Sequence, residues 1–143
     1  MVKNFVIDTV ALGSYFRDIF NDSNSQISKK ALDIIEGGFN DDPNIRLSIP
    51  SVVFIEIYYK TFIDEEARRR FQYEVYELIK SKNIEITPID QDVLENFVKI
   101  GRGLENHDRI ILASAMALEC PIITHDSKIS EYLETNRVVK LIS

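Results

Sequence analysis

A chain of 143 residues, 45% hydrophobic and 28% charged with five glycines and four prolines, fits one compact domain and excludes a linker, a disordered tail or a second core. Its net charge of -6 argues against a broad basic face for nucleic acid, because neutralising phosphates takes clustered Lys and Arg; acids that hold a cation remain compatible with a phosphate substrate. One cysteine, Cys120, and two histidines exclude an internal disulfide and a zinc cluster of usual spacing, while the lack of any apolar run near ~20 residues and of a cleavable site in MVKNFVIDTVAL predicts a cytoplasmic protein with no membrane span.

Phe5, Val6 and Ile7 form a short apolar run that ends at Asp8, the pattern of a parallel strand closed by a carboxylate. Residues 9–20 then read as a helix with Leu12, Tyr15, Phe16, Ile19 and Phe20 on one face. Asp8 is either the cap of that helix or a group at the carboxyl end of a strand, where open α/β sheets bind ligands. A second helix is expected over 27–37, ended by Gly37 and Gly38, followed by a polar loop over 39–44 with a turn at Asp42 and Pro43. Residues 47–49 make the next strand. The run VVFIEIYY, residues 52–59, carries one charge, Glu56, which must reach a solvated edge or find a partner, since an unpaired buried charge is too costly.

Residues 64–81 read as an amphipathic helix with Phe71, Val75, Leu78 and Ile79 inward. Its outward Arg68, Arg69 and Arg70 are either a solvated face or a contact for an RNA backbone. A strand follows at 84–87. Asp90 caps a helix over 91–100 and Asp92 compensates its dipole, and Gly101 and Gly103 break the chain.

In LENHDRIILASAMALECPIITHDSKI, residues 104–129, every position from 110 to 118 except Ser114 is apolar or alanine, so this helix is expected to be covered nearly all round. Cys120 and Pro121 end it; Cys120 itself reads as a small buried hydrophobe. Residues 122–124 form a core strand, and Ser127 opens a short helix over 127–133. Asp108 suits the helix dipole and Asp126 suits the cap of the following helix, so each has a structural as well as a functional reading. A last strand is expected from Val138, Val139, Leu141 and Ile142. Strands alternating with helices at short spacing indicate a mainly parallel sheet, about five strands, with helices on both faces.

HDRIILASAMALECPIITHD closely resembles the C-terminal signature of PIN-domain nucleases, particularly VapC-like toxins, in which a helix-opening Asp and a Thr-x-Asp after a strand carry two metal-binding acids. Asp8 with Thr9 matches the start of the same pattern and Glu56 matches its helical Glu, although Val10 stands where the family commonly has a small polar residue. The resemblance spans nearly the whole chain and implies a single PIN-like domain over residues 1–143. It further implies that Asp8, Glu56, Asp108 and Asp126 converge, with Asp8, Asp108 and Asp126 as principal metal ligands. Glu56 would bind metal through water or orient the nucleophilic water. Thr124 would orient a carboxylate, and His107 and His125 read as polar rim residues rather than general bases.

Oxygen ligands of this kind select Mg²⁺ or Mn²⁺. The implied function is a metal-dependent endoribonuclease acting on RNA, the toxin of a type II toxin–antitoxin pair, with a small cognate antitoxin and a homodimeric state. The aromatics Tyr15, Phe16, Phe20 and Phe39 exceed what one small helix pair needs, so some are expected at a binding groove or dimer contact. The alternative is a PIN-like module that binds RNA or protein with little or no nuclease activity. A receiver domain or phosphatase fits worse, because no DxD follows the first strand and no late strand supplies a partner Lys.

Overall fold

The computed structural model describes residues 1–16, 27–62 and 64–143. Its elements follow in the order β1 (Lys3–Ile7), α1 (Thr9–Tyr15), α2 (Lys29–Phe39), β2 (Ile45–Pro50), α3 (Ser51–Tyr59), α4 (Glu65–Arg70), β3 (Ile84–Thr87), α5 (Gln91–Phe97), α6 (Asn106–Leu118), β4 (Ile122–Ile123), α7 (Ser127–Thr135) and β5 (Leu141–Ile142). Helix α4 continues through a π-helical turn, Phe71–Val75, and a last turn, Tyr76–Leu78. The five strands form one sheet of order β3-β2-β1-β4-β5 in which every pairing is parallel. Successive strand residues point to opposite faces, and Val6, Ile7, Leu47, Ser48, Ile49, Ile122 and Ile123 are all buried, so both faces of the sheet are covered. The α/β architecture expected from the sequence is the one observed. No helix among the described residues is long and apolar enough to cross a membrane.

Helix starts follow their caps. Ser28 accepts from the Ala31 amide, Asp64 from Glu66 and Ala67, and Asp90 from Val93, which bears out the capping role read for Asp90. Helix ends depart from expectation in two places. Gly37 and Gly38 lie inside α2, not beyond it, because α2 packs closely on β2: a Cβ at Gly37 would stand 2.6 Å from Ile45 Cδ1, and one at Gly38 2.5 Å from Leu47 Cγ. These glycines serve close approach, not helix termination. Helix α6 stops at Leu118 through Glu119, which adopts the left-handed conformation at φ 51° before Cys120 and Pro121 are reached.

A Gly38→Ala substitution should therefore overpack a fully buried contact, at a packing cost of about 1 to 3 kcal/mol, for a net loss of up to about 2 kcal/mol. The net figure allows for the ~1 kcal/mol alanine gains as a helix former. Gly101→Ala, where an added Cβ meets nothing within 4 Å, should leave the urea midpoint unchanged.

Burial also corrects the sequence reading. In α6 the residues from Ile111 to Ala115 are buried, but Met116 and Ala117 are half-buried and Leu118 is exposed, so only the middle of the helix is enclosed. The last strand is confined to Leu141–Ile142, and Val138 is exposed. Cys120 is buried as expected, which pushes its thiol up to about 11.

Phe16 and Phe39 are in the core and Tyr15 is half-buried, with Tyr15 stacked on Phe39 at 5.0 Å and Phe16 edge-on to both. These rings pack on one another; Ile19, Phe20 and the side chain of Leu78 lie outside the described residues. The exposed apolar side chains on this part of the fold are instead Ile55, Tyr59 and Phe62, spaced by four and three along and just past α3.

Candidate metal centre

Adjacent parallel strands bring Asp8 and Thr124 together. The register Val6↔Ile122 and Ile7↔Ile123 makes the next residue of each strand emerge side by side, and the Asp8 amide donates to the Ile123 carbonyl at 3.2 Å. The Thr124 hydroxyl then donates to Asp8 Oδ2, and Thr124 Oγ1 itself accepts from the Asp126 amide at 2.9 Å. Thr124 therefore ties the two aspartates through one hydroxyl. Asp108 reaches this pole because α6 precedes β4 and runs back against it, which places the first turn of α6 near the carboxyl ends of the strands. Glu56 arrives from α3, which starts directly after β2 at the same end of the sheet.

The capping readings hold without consuming the carboxylates. Asp8 Oδ1 accepts from the Ala11 amide at 2.8 Å, so Asp8 caps α1. Asp126 Oδ1 accepts from Lys128 at 2.8 Å and Ile129 at 3.1 Å and so caps α7, while no donor among the described residues meets Asp126 Oδ2. Asp108 is buried and accepts no hydrogen bond from a backbone amide or hydroxyl among the described residues; its close neighbour is His107 Nε2 at 3.4 Å. Glu56 Oε1 is enclosed with no partner, and so is Thr9 Oγ1 beside Asp8. Cap and site are compatible roles for one carboxylate, since an oxygen has two lone pairs and a carboxylate two oxygens.

Electrostatics couples these groups. Burial raises the Asp8 carboxyl from 3.8 to about 7 against the opposing hydrogen bonds of Thr124 and Ala11, and the charges of Asp126 and Asp108 push it further in the same direction. Asp108 is also raised, first by burial, with His107 opposing and Asp126, Glu105 and Glu56 adding repulsion. Among the described residues no lysine or arginine ion pair reaches Asp8, Glu56, Asp108 or Asp126. The four acids share one electrostatic neighbourhood, but they are not drawn into a tight cage. The group of three ligand-type side chains whose donor atoms lie within 4.8 Å of one another consists of Glu105, His107 and Asp108.

Residues 5–133 match the PIN domain. The chain belongs to the PIN domain family. Solved structures share its fold at low identity. A VapBC2 complex from Rickettsia felis bound to promoter DNA has a TM-score of 0.68 at 14% identity, with 96% of each chain covered. A DNA-bound VapBC from Salmonella typhimurium has 0.66 at 18% identity, covering 99% of this chain and 97% of that one. A toxin–antitoxin complex from Klebsiella pneumoniae has 0.58 at 22% identity, covering 86% and 87%. No match was found among curated proteins.

PIN domains use divalent metal ions, and the residues present here fit one: an enclosed Glu56 oxygen without a donor, a spare Asp126 oxygen and a buried Asp108 without a hydrogen-bonding amide together offer hard oxygen ligands. Glu105 is the member of this neighbourhood that sequence reading passed over. Its signal was the spacing Glu105, His107, Asp108 across the start of one helix, which sets three ligand-type groups at a single turn.

Elsewhere, the triple arginine stays on the surface. Arg69 is exposed, Arg68 and Arg70 are half-buried, and Arg70 pairs with Glu74 at 3.2 Å, a surface i,i+4 pair of the kind worth under about 1 kcal/mol.

Proposed function

We propose that this PIN domain is a metal-dependent endoribonuclease, the toxin of a type II toxin–antitoxin pair, acting in the cytoplasm as a single domain spanning residues 1–143. The observation that carries the reading is the Asp8–Thr124–Asp126 relay at the ends of two adjacent strands, charge-coupled to Asp108. Mg²⁺, for which Mn²⁺ substitutes, would be held by Asp8, Asp108 and Asp126. When bound there, the cation would lower the pKa of a water and neutralise charge on the scissile phosphate.

The chain's own groups do the rest. Thr124 fixes the Asp8 carboxylate and the Asp126 backbone with one hydroxyl, so the two ligands keep their relative placement as charge develops. The cap bonds of Asp126 lock one of its oxygens and leave the other for the pocket. Glu56 Oε1, enclosed and without a partner, would hold the cation through water or orient the attacking water for in-line displacement.

The neighbours described as toxin–antitoxin complexes support a small antitoxin partner for this chain. A homodimer is proposed alongside it. The exposed stripe Ile55, Tyr59 and Phe62 is the apolar surface that supports a protein contact, one turn from Glu56.

The purified protein should cleave RNA with Mg²⁺ or Mn²⁺, stop in EDTA and resume when the cation is restored. Cleavage that persists in metal-free protein would overturn the reading, and absence of cleavage under all cations would favour the alternative of a PIN-like binding module.

A further inference from the structure

Asp108 meets one side chain closely, and that side chain is an imidazole. His107 Nε2 stands 3.4 Å from Asp108 Oδ1, and His107 Nδ1 stands 3.6 Å from Glu105 Oε2. Both separations exceed a normal N–H···O hydrogen bond of about 2.7 to 3.2 Å. Ligands held about 2.1 Å from one cation at octahedral angles stand about 3 Å apart, so Nε2 and the Asp108 oxygen need approach by only a few tenths of an ångström to share one. The two ring nitrogens face different carboxylates, and the roles divide accordingly. Nε2 faces the buried Asp108 and Nδ1 faces Glu105, so a small approach of Glu105 would give the carboxylate–histidine arrangement that fixes the tautomer of a ligating imidazole. Lys128 Nζ lies 3.9 Å from the other Glu105 oxygen.

The acids alone do not make this a site. Beside them Glu56 Oε1 is enclosed and without a partner, and the Glu56 charge acts on Asp108, which is 8% exposed and accepts no amide or hydroxyl hydrogen bond among the described residues.

We propose that His107 is a nitrogen ligand, through Nε2, to a divalent cation shared with Asp108 and oriented by Glu105, and that this donor makes the site prefer Mn²⁺ to Mg²⁺. The inference deepens the metal-dependent reading above and rests on it for the role of Asp108. Mg²⁺ is a hard ion that retains water and oxygen ligands, whereas imidazole suits the transition metals. An imidazole beside Asp108 therefore selects between the two without altering the carboxylates. His107 acts here as a ligand and Glu105 as a positioning residue.

The experiment needs no RNA. Mn²⁺ is titrated into the full chain by electron paramagnetic resonance, and spin-echo modulation reports ¹⁴N bonded directly to the ion. With only two histidines in the chain, His125→Ala serves as the control. The wild type and His125→Ala should show directly ligated ¹⁴N. His107→Ala should lose that signal and bind Mn²⁺ about 10-fold or more weakly, with Glu105→Gln weakening it about 10-fold. The ratio of Mn²⁺ to Mg²⁺ affinity should fall in His107→Ala.

If His107 is only an ion-pair partner of its neighbours, removing it takes a positive charge from the pocket. His107→Ala would then bind Mn²⁺ as tightly or more tightly, with no change in nitrogen modulation, and the proposal is overturned. Wild-type protein that binds Mn²⁺ without ligated ¹⁴N yet cleaves RNA overturns His107 alone and leaves the acidic centre standing; wild-type protein that binds no Mn²⁺ overturns both.

Discussion

Metal-free protein is expected to lose stability as pH rises from 3.8 to about 7, and Asp8→Asn is expected to remove most of that loss. The cause is the burial of Asp8 beside Asp126 and Asp108, which favours the uncharged carboxyl in the folded state. A folded pKa raised above the unfolded one contributes stability that is fully present below the unfolded value and is lost as pH climbs through the folded value. The displacement from 3.8 to about 7 corresponds to a loss on the order of 4 kcal/mol across that window. Asn still accepts the Ala11 amide as a cap, so the variant removes the ionisation while preserving the start of α1. Urea titrations in EDTA at several pH values measure this, and saturating Mn²⁺ should flatten the wild-type profile because the cation binds the ionised form. A variant whose pH profile matches wild type would show that Asp8 carries no such burden.

The fold was legible where patterns are local. Apolar runs ending at Asp8 and Thr124, and alternation of strand and helix, suffice to give the sheet, because burial on both faces leaves a strand little choice of residue. The misreadings arose where tertiary contact decides. Gly37 and Gly38 look like a stop signal, but their missing Cβ atoms are used by Ile45 and Leu47 on another element, which a linear pattern cannot register. The mutual packing of Tyr15, Phe16 and Phe39 is likewise a contact between elements that a linear pattern does not register.

The candidate site was legible for a different reason. Single residues were ambiguous, since Asp8 and Asp126 are good caps, and spacing could not show that capping leaves one Asp126 oxygen without a donor. The resemblance to PIN nucleases supplied the expectation that the four acids, which belong to four separated segments, act together. Glu105 escaped because its significance depends on which nitrogen of His107 it faces, a property of side-chain orientation and not of order along the chain.

Asp126→Asn separates the cap from the site and so bears most directly on the acidic centre as the seat of RNA cleavage. Asn caps as well as Asp and retains the oxygen that accepts from Lys128 and Ile129, so α7 should keep its start. What the substitution removes is the negative charge at the second oxygen, together with its repulsion of Asp8 and Asp108. Loss of a group that merely supports a ligand typically costs about 10 to 100-fold, so loss of a ligand should exceed about 100-fold. The same relief of repulsion should make the variant melt higher than wild type in EDTA and gain less from Mn²⁺. The deciding measurement is the rate of RNA cleavage by wild type and Asp126→Asn side by side in saturating Mn²⁺. A fall of more than about 100-fold in a folded variant is the predicted result; cleavage at the wild-type rate would remove Asp126 from the chemistry and contradict the four-acid centre.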